Sequence, residues 1–269
     1  MRKIVHVSDL HFGRDDALVI DGLTTSIHTI DPHLIIISGD LTQRARDREF
    51  ERARRYCEML AQAGFPFLVI PGNHDITPLY HPMKRIFNTY DNYRKYISEH
   101  TQAQYADKEV AVASINSVSR VRPSGGFFLM REVKRTSEWL ADFPDSMVKI
   151  VVTHHPIHAP YEKPTKRTIG GNRTLKALGA SKVDLFLAGH FHKSRVIPLA
   201  QRFDDHGGLA IQAGTVSRRL RGEAPSFNLL TIDKPHLTLE ALRWSAADKR
   251  FAPAKKRDFF FRDEKWVGR

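Results

Sequence analysis

Residues 67–75 read Phe67-Leu68-Val69-Ile70-Pro71-Gly72-Asn73-His74-Asp75. An unbroken aliphatic run breaks at Pro-Gly and delivers an amide, an imidazole and a carboxylate. The pattern recurs. Lys3-Ile4-Val5-His6-Val7 leads into Asp9-Leu10-His11, and Leu34-Ile35-Ile36-Ile37 into Gly39-Asp40. Lys149-Ile150-Val151-Val152 leads into His154-His155-Pro156, and Asp184-Leu185-Phe186-Leu187 into Gly189-His190-Phe191-His192. Continuous β-branched and aliphatic runs suit strands buried on both faces. Polar groups at the ends of such strands converge on one sheet edge, where open α/β sheets bind their ligands.

Helical apolar spacing separates the first runs. It covers Leu18 to Ile30, and Arg46 to Gly64 with Phe50, Ala53, Cys57, Leu60 and Ala61 on one face. One or two short helices are expected between Pro78 and His100, a strand over Val110 to Asn116 and a helix over Glu132 to Phe143. Pro156 to Gly171 is rich in proline and glycine and reads as a loop. A short helix follows over Thr174 to Gly179. After His192 the pattern changes. Arg195–Leu199, Leu209–Gln212, Phe227–Ile232 and Leu237–Trp244 read as antiparallel strands, with turns at Asp205-His206-Gly207-Gly208 and Asp233-Lys234-Pro235. We expect one domain over 1–248, and a basic, aromatic tail over 249–269 that packs on that domain or on a partner.

The chain has 269 residues, enough for a sizeable core, and a net charge of +12. The charge is dispersed, which favours a small anionic substrate over nucleic acid. The lone Cys57 excludes an internal disulfide and suits a reducing compartment. No apolar run approaches the roughly 20 residues of a membrane span, so the expected address is the cytoplasm. Self-association stays open.

Asp9 and His11 stand two apart, as do His190 and His192. In an extended segment each pair would share one side and grip one ion. Asp40 has two oxygens suited to bridging, Asn73 a neutral carbonyl, and His154 completes the set. Two carboxylates, one amide and four imidazoles suit Mn, Fe, Zn or Co over Ca or Mg. A single Asp-x-His is more often a turn or cap. All five patches in this order leave little room for chance.

Taken together, the patches resemble the calcineurin-like metallophosphoesterases, whose pattern is Asp-x-His, Gly-Asp, Gly-Asn-His-Asp/Glu, His and Gly-His-x-His. The likeness spans Asp9 to His192 and is strongest to the branch of class III cyclic nucleotide phosphodiesterases and glycerophosphodiesterases. It implies a four-layer α-β-β-α sandwich of two mixed sheets. It also implies two metal ions: Asp9, His11 and His192 on one, Asn73, His154 and His190 on the other, and Asp40 bridging. Attack on phosphorus by a metal-bridging hydroxide would follow. His74 would stabilise charge or protonate the leaving oxygen, and Asp75 would orient it. His155 would lie behind the metal ligands. His81 and His158 are candidates for the pocket rim, and Arg44, Arg218, Arg219 and Arg221 for the anionic substrate.

The expected activity is hydrolysis of a small phosphodiester, with 3′,5′-cyclic nucleotides first. A nuclease or a nucleotide-lipid pyrophosphatase is the alternative. Every ligand position is filled, which argues against a non-enzymatic scaffold.

Overall fold

The computed structural model describes residues 1–159, 167–201, 203 and 207–269. Strands β1 (Arg2–Val7), β2 (Leu34–Ile37) and β3 (Phe67–Val69) lie parallel and are linked by helices α1 (Ala17–Ile30) and α2 (Asp47–Gln62). On the other flank of β1, strands β10 (Ser226–Asp233), β11 (His236–Ser245), β12 (Arg250–Arg262) and β13 (Lys265–Gly268) follow antiparallel. The order is β13-β12-β11-β10-β1-β2-β3. The second sheet contains β4 (Gln104–Ala106), β5 (Val110–Ser114), β6 (Val148–Val152), β7 (Leu185–Ala188), β8 (Arg195–Pro198) and β9 (Leu209–Gln212), in the order β4-β5-β6-β7-β9-β8. Helices α5 (Met130–Ala141) and α6 (Gly171–Gly179) pack on it. Between β3 and β4 lie two short helices, α3 (Pro82–Phe87) and α4 (Asp91–Tyr96).

Strand alternation explains the unbroken apolar runs. Ile4, Leu34, Ile36 and Leu68 face inward against Val112, Ile150, Val152 and Leu187 of the other sheet. Their neighbours Val5, Val7, Ile35 and Ile37 face outward onto Val19, Leu23, Phe50 and Leu60 of the helices. Ala111, Ala113, Val151 and Phe186 do the same under Val133, Leu140 and Leu178. Both faces of both sheets are therefore covered, which is the four-layer sandwich expected from the sequence. Cys57 is buried on the inner face of α2.

Two expectations change. Leu209–Gln212 is antiparallel only towards β8, because it also pairs parallel with β7 inside the second sheet. Strand β4 went unforeseen, since Gln104-Tyr105-Ala106 shows no apolar alternation and is held by pairing with β5. Part of the expected loop 156–171 and of the expected turn 205–208 lies outside the described residues.

At the end of the chain Trp266 is buried between the sheets, and its Nε1–H donates to Asp184 Oδ1 at 2.9 Å. The other Asp184 oxygen accepts the Lys149 N–H, and Lys234 Nζ stands 3.3 Å from the carboxylate. Trp266→Ala leaves a cavity and removes a donor from a buried acid. The expected cost is about 3–5 kcal/mol, read as a lower urea midpoint at unchanged slope. An unmoved midpoint would show that this indole contributes nothing to the fold.

Candidate metal centre

All five polar patches emerge at the same edge. Strands β1, β2 and β3 are neighbours in one sheet and β6 and β7 in the other, and Asp9, Asp40, Asn73, His154 and His190 meet where the two sheets adjoin. The Asp9 N–H donates to Gly39 O, and the His190 N–H donates to Asp9 Oδ2 at 2.9 Å, which ties one sheet to the other.

The backbone here departs from the extended form expected for the Asp-x-His and His-x-His pairs. Asp9, His11, Asp40, His190 and His192 all have positive φ, between 46° and 73°. The paired side chains share a side because a left-handed residue bends the loop, and strand alternation plays no part. Each such residue costs on the order of 1 kcal/mol, and such residues concentrate at functional sites. Gly72 is required for a different reason. A Cβ there would overlap the Asp40 carboxylate and backbone.

Asp9, His11, Asp40 and His192 present ligand atoms within 4.8 Å of one another, and so do His154, His155 and His190. Asp40 faces both groups. Its Oδ2 lies 3.6 Å from His11 Nε2 and its Oδ1 3.4 Å from His154 Nε2, while Oδ1 also accepts the His74 N–H at 2.8 Å. Asn73 donates its amide to Pro123 O, which turns Oδ1 to within 3.0 Å of His154 Nε2 and 3.0 Å of His190 Nδ1.

The ring orientations carry the chemistry. A carbonyl only accepts, so each imidazole nitrogen bonded to one carries the proton. His11 donates Nδ1–H to Thr42 O, His154 Nδ1–H to Ser38 O, His192 Nδ1–H to Arg219 O, and His190 Nε2–H to Ser124 O. The second nitrogen of His11, His190 and His192 therefore turns its lone pair inward, and that of His154 points to the same space. His11 Nε2 and His192 Nε2 face each other at 3.3 Å, and His192 Nε2 faces Asp9 Oδ1 at 3.0 Å. Asp9 Oδ1 has no hydrogen-bond donor among the described residues. Opposed lone pairs at such distances repel unless a cation stands between them. These residues are positioned to bind metal ions, with the ring tautomers already set from behind.

Burial acts on the same groups. It pushes His11 down to about 4 and, helped by the charge of His154, His190 down to about 3. Both rings stay neutral and available. Burial also opposes charge on Asp9 and Asp40, but His192 for Asp9 and His154 for Asp40 hold both carboxyls well below the ordinary range. His154 is the exception among the rings. Burial lowers it, yet the Asp40 charge and hydrogen bond outweigh burial and lift it to about 9. The carboxylates keep a proton on this ring in place of a cation.

His74 Nδ1–H donates to Gln43 O at 2.7 Å, and its Nε2 accepts from Arg219 NH1 at 2.8 Å. Asp75 does not orient this ring, a correction to the sequence-based expectation. Its buried carboxylate instead accepts the N–H groups of Leu41, Thr42 and Gly72 and the Thr42 hydroxyl, which joins the loops after β2 and β3. Burial and then the Asp40 charge push this carboxyl up to about 7, against those donors. His155 pairs with the Ser117 hydroxyl, and burial holds it well below its usual value.

A cavity of about 420 Å³ opens over the site, with Arg44, Arg219, Arg221, Leu79 and Tyr80 in its walls. Arg218 instead pairs with Asp16. The segment that begins at Pro78 overhangs the site, with Pro78, Leu79 and Tyr80 lining the cavity. The described part of 156–171 does not, and His158 lines a separate cavity. Pro123 and Ser124 take that place. His81 stands exposed at the start of α3. Gln43, Ser124 and Leu79 were not foreseen. The first two act through backbone carbonyls, which leave no mark in the sequence.

A family model described as calcineurin-like phosphoesterase matches residues 2–194. Over 165 residues, 60% of this chain, the sequence is 28% identical to a protein of Arcobacter nitrofigilis named probable glycerophosphodiester phosphodiesterase GpdQ. That match spans 57% of the relative's length, a little over half. Over 251 residues, 88% of this chain and 84% of the relative, it is 23% identical to the Escherichia coli K12 protein named 3′,5′-cyclic adenosine monophosphate phosphodiesterase CpdA. In three dimensions the chain is similar to a dimetal phosphatase from Danio rerio, with a TM-score of 0.67 at 10% identity, covering 97% of this chain and 99% of that one. At that identity the likeness is one of fold.

Cation binding at Asp40 and His154 has to displace the His154 proton. Below its raised value near 9 the proton competes, and above it the ring is free. Affinity for Mn²⁺ should therefore rise about tenfold from pH 7 to pH 8, with about one proton released per cluster filled. Calorimetry in buffers of different ionisation enthalpy reads both. A pH-independent affinity with no proton released would remove this assignment.

Proposed function

The chain belongs to the calcineurin-like phosphoesterase family, and from that premise we propose that it is a phosphodiesterase for a small diester, with a 3′,5′-cyclic nucleotide first among substrates. The metal-dependent phosphoesterase chemistry comes with the family. The substrate is our reading. One observation carries it: the cavity over the cluster is about 420 Å³ and has Arg44, Arg219 and Arg221 in its walls. That is room for one nucleotide-sized anion, with guanidinium groups to receive its phosphate. The names of the relatives GpdQ and CpdA support a diester.

We assign Asp9, His11 and His192 to one ion and Asn73, His154 and His190 to the other, with Asp40 shared. The donor set suits Mn, Fe, Zn or Co. When bound, two such cations supply Lewis-acid charge and a water-derived nucleophile at neutral pH. The remaining work falls to the protein. Arg219 holds His74 Nε2 in the free site. An entering phosphoryl oxygen competes for that guanidinium and releases Nε2, which then faces the substrate. Gln43 O keeps the ring's other proton in place. The released Nε2 takes up a proton from water, and the resulting imidazolium stabilises charge on the phosphoryl group or passes that proton to the leaving oxygen. Arg44 and Arg221 fix the anion, and Leu79 and Tyr80 close the apolar wall. The single buried thiol, Cys57, supports a cytoplasmic address. Among the described residues no helix is long and apolar enough to cross a membrane.

Single substitutions separate the roles. Asp40→Asn should lower metal content and activity together, and two ions with normal turnover in that variant would sink the bridging role. His74→Ala should keep both ions and lower kcat by about 10²- to 10⁴-fold. Metal loss at His74 would make it a ligand. His154→Ala should lose metal and His155→Ala should keep it, by elemental analysis.

A substrate panel with Mn-loaded protein tests the reading as a whole. It contains cyclic AMP, a glycerophosphodiester, bis(p-nitrophenyl) phosphate and single-stranded DNA. We expect a small diester to be cleaved, with kcat/KM changing less than about tenfold between roughly 50 and 200 mM salt, against about 10³-fold or more for a protein making many phosphate contacts. Cleavage of DNA with inert small diesters would turn the assignment to a nuclease.

A further inference from the structure

Two segments beside the mouth of the cavity contain no carboxylate. They are residues 76–90, ITPLYHPMKRIFNTY, and 117–131, SVSRVRPSGGFFLMR. The fold joins them through Arg85. Its buried guanidinium donates to the carbonyls of Thr77, Ser119 and Arg120, and Arg120 NH1 donates in return to Ile86 O at 3.0 Å. Val121 is thereby brought beside α3. The joined surface is apolar at its tips: Met83 is 65% exposed, Phe87 73% and Val121 80%. Leu79 and Tyr80, also exposed, continue it into the cavity wall. Lys84 and Arg120 are exposed among them.

An exposed apolar cluster rimmed by polar groups marks a contact surface. The high exposures belong to side chains that stand proud, so the surface is a projection and not a groove for a peptide. A two-fold contact with a second copy would set Lys84 and Arg120 against their own kind, with no acid in either segment to answer them. The chemistry that fits is a negatively charged surface with an apolar layer just beneath it.

We propose that this rim docks the protein on an anionic phospholipid bilayer. Met83, Phe87 and Val121 enter the boundary between headgroups and acyl chains, and Lys84 and Arg120 lie against lipid phosphates. The cavity mouth then opens at headgroup level. None of Met83, Phe87 or Val121 lines the cavity, so docking and hydrolysis are separable.

The test sediments metal-loaded full chain with vesicles of phosphatidylcholine alone, or with about one third phosphatidylglycerol. The protein should pellet with the anionic vesicles, and at least about tenfold less with the neutral ones or in high salt. Met83→Glu combined with Phe87→Glu, and separately Val121→Glu, should lower that binding about tenfold or more. Hydrolysis of bis(p-nitrophenyl) phosphate in solution and the melting temperature should stay unchanged. Vesicle binding unaffected by either variant, or absent in the parent chain, overturns the proposal while leaving the phosphodiesterase reading intact. A concentration-dependent dimer abolished by the double variant gives the surface to a second copy and overturns it equally. Failure of the parent chain to cleave any diester counts against the phosphodiesterase reading alone.

Discussion

Each of the four inward-facing histidines gives one ring nitrogen to a backbone carbonyl, and the rest of the site depends on that. Thr42, Ser38, Ser124 and Arg219 supply those carbonyls, and each lies in a loop between larger elements. With one nitrogen committed as a donor, the other points into a buried space shared with two carboxylates, as a lone pair on three of the rings and with a proton standing in for a cation on His154. The protein thus assembles acceptors with too few donors to satisfy them. In a buried setting that arrangement is unfavourable, and a cation relieves it. The positive φ values at Asp9, His11, Asp40, His190 and His192 add a second, smaller cost. Both are borne by the packed layers underneath, where the aliphatic strands are almost wholly buried.

The strand runs and the ligand-bearing residues were readable in the sequence because both are side-chain properties. An aliphatic run buried on both faces has no polar interruption, and the ligands must be Asp, Asn or His. What could not be read was the backbone. The left-handed residues His11 and His192 are not glycines. The carbonyls of Gln43 and Ser124 belong to residues whose side chains carry no signal for the role. Asp75 looked like an orienting carboxylate because it follows His74 in sequence. Its four bonds to the loops of Leu41, Thr42 and Gly72 depend on where β2 and β3 end relative to one another, which is a tertiary fact. The parallel pairing of β9 with β7 is of the same kind, since strand order does not appear in local alternation.

The arginines sort by environment and not by sequence neighbourhood. Arg218 and Arg219 are adjacent, yet the first pairs with Asp16 on the surface while the second reaches His74 and His11. Arg85 sits in the cavity wall but is consumed by three backbone carbonyls. Its positive charge is an internal strut of the rim, whereas Arg44, Arg219 and Arg221 line the cavity with no guanidinium bond to a backbone carbonyl among the described residues.

The first strand of the chain is a central one. Residues Ile4 to Val7 pair on one side with β2, about thirty residues on, and Arg2 to His6 pair on the other with β10, where Arg2 lies opposite Ile232. A chain emerging from the ribosome makes this strand at the start and its second neighbour near the end. The second sheet, β4 to β9, has all its partners within itself and can pair before synthesis finishes. The first cannot, and one side of β1 stays unpaired until the last third of the chain arrives. An aliphatic strand with an open edge invites association with other chains. Production of this protein is therefore most exposed to aggregation while the chain is being made, and conditions that reduce the number of chains made at once or occupy that edge should raise the yield of folded material.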